Sequence, residues 1–188
     1  MQELKDCGKD PEVSGLKVEL VDESDMMHWI AEIKGPMSTP YEGGKFAIDI
    51  TLPSDYPFVP PKMKFITKVW HPNISSQSGA ICLDILKNEW SPALTVRTAL
   101  ISLMALLSAP EPDDPQDAEV AKQYKENIEE FNKTAKFWAE TYATGIQTKD
   151  AKVQALVEMG FEEKQVKEAL AACDNNQERA LEYILANM

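Results

Sequence analysis

The sequence has only two histidines, His28 and His71, and its three cysteines, Cys7, Cys82 and Cys173, lie far apart. With no CxxC and no Cys/His cluster, neither a zinc site nor a disulfide framework is suggested, and a reducing compartment fits best. Positive charge is scarce: 19 basic residues against 31 acidic ones leave a net charge of −12. That argues against a nucleic-acid binder, which needs a basic face to displace counterions. Long apolar runs are missing too. The longest, ALISLMALLSA (99–109), is too short to span a bilayer. The polar start, MQELKDCGKD, does not read as a signal peptide. These absences leave the expectation of a soluble intracellular protein. Its 188 residues suffice for one medium domain plus a small module.

What is present begins with alternation. GLKVELV (15–21) places Leu16, Val18 and Leu20 on one face, and HWIAEIK (28–34), KFAIDITL (45–52) and KMKFIT (62–67) follow as further strand candidates. Short connections between them predict a four-stranded antiparallel meander, hence an α+β fold rather than βαβ units. Residues 2–7 are enough for only a short opening helix. YPFVPP (56–61) makes a corner that cannot be interior strand.

After residue 95 the period changes. Thr95 is a candidate N-cap, and TVRTALISLMALLSA, apolar on nearly every side, predicts a buried helix. Three prolines hold APEPDDPQD (109–117) open as a loop, and Asp117 is placed to cap the helix AEVAKQYKENI. In the next helix Ile128, Phe131, Ala135 and Trp138 form a stripe at helical spacing. ATGIQTKD (143–150) reads as a linker. The expected division is a domain over 1–145, a linker over 146–149, and a small three-helix bundle over 150–188 with Gly160 as a C-cap.

Cys82 lies in KVWHPNISSQSGAICLDILKNEWSPALT (68–95), and two chemistries suit it. A Cys/His protease needs a base hydrogen-bonded to the thiol; His28 falls in a strand pattern, which leaves His71 as the candidate. The other chemistry needs no histidine. Exchange of an incoming thioester with the thiol is nearly balanced in energy, and attack by an amine then creates an oxyanion. An amide donor such as Asn73 would stabilise that oxyanion. A carboxylate from Asp113, Asp114 or Asp117 would hold the amine and relieve it of its proton. Cys7 and Cys173 read as small apolar core residues, and Trp90 as a packing residue.

HPNI, GAICLD (79–84) and WSPALT (90–95) resemble the signature of ubiquitin-conjugating enzymes. YEGGKF (41–46), DYPFVPPKMKFITKVWHPN (55–73) and PEPDDPQDAEVAKQY (110–124) match in the same order, so the resemblance covers about residues 15–145. Met159-Gly160-Phe161 with Leu181, Ile184 and Leu185 resembles a ubiquitin-associated domain, and the pairing is similar to the branch of the family that carries one.

The resemblance implies a thioester between Cys82 and the ubiquitin C-terminus. By the same resemblance Asn73 would support the oxyanion or hold the loop, Asp114 would position and deprotonate the incoming lysine, and His71 would be structural. Asp84 would contact the ubiquitin tail, and Phe58, Ser91, Pro92 and Ala93 would meet ligases. Ile101 and Ala105 would face the donor ubiquitin, while Met159, Gly160, Phe161 and Leu185 would bind ubiquitin. The implied partners are donor and acceptor ubiquitin, the activating enzyme, and ligases of RING or HECT type. No cofactor, metal, nucleic acid or membrane is implied. The chain is expected to be a monomer, cytoplasmic and also nuclear, building proteasome-targeting chains.

Two departures stand out. The opening helix is shorter than the family's usual one, which leaves open a catalytically weak, ubiquitin-binding variant. The stretch from Asn73 to Cys82 is one residue longer than in many members. A conjugating enzyme for another ubiquitin-like modifier is the remaining alternative, disfavoured by the ubiquitin-associated segment.

Overall fold

The computed structural model describes residues 2–7, 14–146, 149–173 and 177–187. These divide into two compact units, Met1–Ile146 and Gln147–Met188.

In the first unit β1 (Leu16–Asp22), β2 (Asp25–Lys34), β3 (Lys45–Thr51) and β4 (Lys62–Phe65) form an antiparallel sheet in the order β1-β2-β3-β4. Strand β2 starts earlier than the alternation suggested. Asp22 Oδ1 accepts from both the amide and the hydroxyl of Ser24, making a tight turn that lets Asp25 pair with Asp22. One face of the sheet is buried. Trp29, Ala31 and Ile33 of β2 and Phe46, Ile48 and Ile50 of β3 recur at every second residue and are buried on that face. Each fully buried large side chain here stabilises the fold by about 1.5–3 kcal/mol.

Helix α2 (Val96–Ser108) completes this core with Val96, Leu100, Leu103 and Leu107. Thr95 caps it, its side chain accepting from the Thr98 amide. The expectation of a buried helix holds for most of α2 but not for one stripe. Ile101 is 49% exposed, and Ala105 and Ser108 are exposed on the same stripe. Apolar composition alone cannot say which side a helix leaves uncovered.

The short helix α1 (Gln2–Cys7) is anchored at both ends. Glu3 Oε1 accepts from the Tyr56 hydroxyl and from the Val96 amide, at 2.6 Å each. That puts a carboxylate at the positive end of α2. At the other end Arg97 donates to the Asp6 and Cys7 carbonyls, and Cys7 is fully buried. Burial, with the nearby Glu3 carboxylate, raises the Cys7 thiol to about 11, so it stays a neutral core group.

Helices α3 (Ala118–Glu126) and α4 (Ile128–Tyr142) meet at a single residue, Asn127, which ends one and caps the other. The α4 stripe buries Phe131 and Ala135 and half-buries Trp138. Ile128 departs from it: the first residue of the helix is half-exposed. The chain then stays attached to the sheet. Ala143 and Gly145 exchange backbone bonds with Lys45, and the Ile146 amide donates to Glu32 Oε2. Of the expected linker 146–149, Ile146 is therefore tied to β2, 147 and 148 lie outside the described residues, and Lys149 already begins a helix.

The second unit contains α5 (Lys149–Glu158), α6 (Glu163–Ala172) and α7 (Gln177–Ala186) around Val153, Leu156, Val166, Ala169, Leu170, Ala180 and Ile184. Gly160 ends α5 at φ +100°, where its amide donates to Val157 O and the Phe161 amide reaches back to Leu156 O. Among the described residues no helix is long and apolar enough to cross a membrane.

Candidate active site

His71 starts the construction of the site. It is fully buried, with Nε2 donating to the Leu106 carbonyl and Nδ1 accepting the Asn73 amide. Burial pushes its pKa down to about 4, although the bond to Leu106 favours the charged form. Protonation would aim two donors at each other across Nδ1. The ring is therefore neutral at physiological pH, with both nitrogens occupied. It cannot serve as the base of a Cys/His pair, which removes the protease alternative.

Asn73 is 1% exposed and all of its groups are used. Its backbone carbonyl accepts the Cys82 amide at 2.9 Å. Its Nδ2 donates to the Glu111 and Asp114 carbonyls at 2.9 Å each, and its Oδ1 accepts the Glu111 amide at 2.8 Å. One residue thus holds the thiol segment on its main chain and the acidic loop on its side chain. Both amide hydrogens are spent on that loop, so neither points at a reacting group in this geometry.

Further ties run alongside. The Pro72 carbonyl accepts the Gln116 and Asp117 amides. Asp117 Oδ2 accepts from the amide and hydroxyl of Ser76, while Oδ1 caps α3 through the Val120 amide. Partial burial raises the Asp117 pKa, but these bonds outweigh it and the net shift is downward. Asp113 is exposed, and its ion pair with Lys125 at 2.7 Å lowers its pKa. The loop between Asn73 and Cys82 turns at Gly79, φ +73°. A Cβ there would sit 2.0 Å from the Phe65 carbonyl oxygen, so only glycine fits.

The result is a half-buried Cys82 whose Sγ lies 3.5 Å from Asp114 Oδ2. A single 3₁₀ turn, Asp84–Leu86, follows and brings Lys87 back, so that its Nζ donates to Sγ at 3.2 Å. Asp84, Lys87, Asn88, Glu89 and Asp114 line a groove beside the thiol. Lys87 escaped the sequence reading, as did the Ser76–Asp117 tie. The only available signal for Lys87 was a basic residue one short turn past the cysteine.

Other expected residues fall elsewhere on the first unit. Phe58 is 79% exposed, and Ser91, Pro92 and Ala93 are exposed as well. Trp90 links their two loops by donating from Nε1 to the Pro57 carbonyl at 2.8 Å, which makes it a strut. In the second unit Met159 and Leu185 are 59% and 58% exposed, and Gly160 is exposed. Phe161 differs from them: it is half-buried against the bundle core. Among the described residues no group of His, Cys, Asp and Glu could hold a metal ion.

Comparison with known proteins gives two family matches: ubiquitin-conjugating enzyme over residues 1–139 and UBA/TS-N domain over 149–184. Ubiquitin-conjugating enzyme E2 27 of Arabidopsis thaliana is 55% identical, over 97% of this chain and 94% of that protein. Ubiquitin-conjugating enzyme E2 K of Homo sapiens is 50% identical, over 99% of this chain and 95% of that protein. Among solved structures, the E2 domain of a Toxoplasma gondii ubiquitin conjugating enzyme aligns at a TM-score of 0.71 with 58% identity. That alignment covers 76% of this chain and 96% of the other.

Proposed function

The chain belongs to the ubiquitin-conjugating enzyme family, and from that premise we propose that Cys82 carries ubiquitin as a thioester and passes it to a lysine amine. The observation that carries this is the pairing of Cys82 Sγ with Asp114 Oδ2, each held by Asn73. In the first step the Cys82 sulfur attacks the thioester on the activating enzyme; one C–S bond forms as another breaks, at little net energy. In the second the lysine nitrogen attacks, a C–N bond forms, and the Cys82 sulfur leaves with the electron pair. Asp114 is the carboxylate placed to orient that amine and take its proton. Asn73 acts here by holding the Asp114 loop, one of the two roles expected of it.

Around this centre Asp84, on the wall of the groove, meets the ubiquitin tail. Phe58 with Ser91, Pro92 and Ala93 offers an exposed surface to RING or HECT ligases. Ile101 and Ala105, the uncovered stripe of α2, meet the donor ubiquitin. Met159, Gly160, Phe161 and Leu185 bind ubiquitin in the second unit, a function supported by the UBA/TS-N match and by the exposure of Met159 and Leu185. The product is a proteasome-targeting polyubiquitin chain, made in the cytoplasm and nucleus by a monomer.

The test is a charging reaction with ubiquitin, activating enzyme and ATP, resolved with and without reductant. A ubiquitin-sized shift that reductant removes, and that Cys82→Ala lacks, is the expected result. A parent chain that never forms the adduct yet still binds ubiquitin would establish a binding protein instead.

The second unit makes a separable prediction. Met159→Ser should weaken ubiquitin binding several-fold while leaving the melting of the bundle unchanged, because the side chain lies outside the core. Phe161→Ala should weaken binding and also cost the bundle about 1–3 kcal/mol, since it removes packed surface. Neither should alter Cys82 charging. Titration of both variants with ubiquitin, beside thermal melts, checks this; unchanged binding in Met159→Ser would contradict it.

A further inference from the structure

With both Asn73 amide hydrogens committed to the 111–114 loop, the oxyanion formed during transfer lacks its expected partner. The charge it meets is unfavourable. Asp84, Glu89 and Asp114 line the groove beside the thiol, and three carboxylates oppose a fourth negative charge. One lining residue is a cation, Lys87, and its Nζ already stands 3.2 Å from Cys82 Sγ. A thioester carbonyl oxygen lies within two bonds of that sulfur. The Lys87 ammonium has three donors on a flexible stem, so it reaches the oxygen with a small rotation.

We propose that Lys87 is a catalytic residue that stabilises the oxyanion when an amine attacks the Cys82 thioester. This rests on the thioester reading of Cys82. The nitrogen lone pair forms the C–N bond and the carbonyl π pair moves onto oxygen, where the Lys87 ammonium donates to it. Collapse returns that pair, breaks C–S and releases the Cys82 sulfur with its electrons. The amine proton goes to Asp114. Lys87 keeps its own protons throughout and forms no bond to carbon.

The full chain would be charged with ubiquitin, the activating enzyme quenched, and discharge followed with free lysine and separately with hydroxylamine. Lys87→Met should still accumulate the reductant-labile thioester, then discharge about a hundredfold to a thousandfold more slowly toward both nucleophiles. The loss should fall in the maximal rate and leave the half-saturating nucleophile concentration in place. Lys87→Arg should stay within a few-fold of the parent.

Discharge of Lys87→Met at the parent rate overturns the assignment, as does slowing toward lysine alone, which would make Lys87 a recognition residue. A reductant-resistant adduct on Lys87 in the parent chain also overturns it, by making Lys87 an acyl acceptor. Failure of the parent to charge at all would instead remove the thioester on which the assignment depends.

Discussion

Asn73→Ala is expected to slow transfer from the charged enzyme to lysine by about 100-fold or more while leaving thioester formation largely intact. The split follows from the division of labour within one residue. The backbone carbonyl that holds the Cys82 amide survives the substitution. The side chain that fixes the Glu111 and Asp114 carbonyls and the Glu111 amide does not. Released from its anchor, the loop lets the Asp114 carboxylate drift from the sulfur, and a displacement near 1 Å costs on the order of 100-fold when catalysis depends on position. Stability should fall as well, by about 2–4 kcal/mol, because buried backbone groups lose their partners. Asn73→Asp keeps the acceptor but loses both donors, so it should be defective too. Single-turnover discharge beside chemical denaturation reads both effects. Parent-rate discharge in Asn73→Ala would remove the loop-holding role.

The second large effect is set by pH. The His71 ring has a folded pKa of about 4 against an ordinary value near 6.5, because burial disfavours its charged form. Between those values the unfolded chain binds a proton that the folded chain refuses. Unfolding free energy therefore rises with pH across this window. The neutral ring's contribution is complete above pH 6.5 and is lost progressively as pH falls toward 4, about 3 kcal/mol in all. Denaturation of the parent and of His71→Gln at steps from pH 7 to 4 should give curves that converge. The variant starts lower, having lost the ring and its bond to Leu106, but carries no titration of its own at this position. A stability gap that does not change with pH would refute this account. Carboxylates such as Asp117 and Asp113 titrate in both proteins and cancel in the difference.

Periodicity made the sheet and most helices legible, because alternation and helical spacing are direct imprints of one-sided burial. The Leu16, Val18 and Leu20 face and the Thr95 and Asp117 caps were readable for that reason. What was not readable depended on the chain's return path. The uncovered side of α2 at Ile101 and Ala105 is decided by which elements leave it bare. Asn73 illustrates this most clearly. Its position after His-Pro was visible, but the bonds from its amide to the Glu111 and Asp114 carbonyls, 38 and 41 residues away, were not. Lys87 was hidden because contact with Cys82 needs a turn whose local sequence, DIL, carries no strong turn signal. The ubiquitin-associated segment was legible as a helical unit, yet the difference between packed Phe161 and exposed Met159 appears only in three dimensions.

The lacing of the site also bears on how the chain acquires its structure. Every sheet pairing joins strands adjacent in sequence, the first through a tight turn and the other two through longer loops, so each pairing is local along the chain. The bonds from Asn73 to Glu111 and Asp114 instead span 38 and 41 residues, a stretch of chain that includes α2. Strand pairing alone therefore does not complete the site, whose loop is tied down by long-range bonds of its own. A partial opening that releases only the 110–117 loop disarms the chain while its core stays folded, so inactivation can precede unfolding.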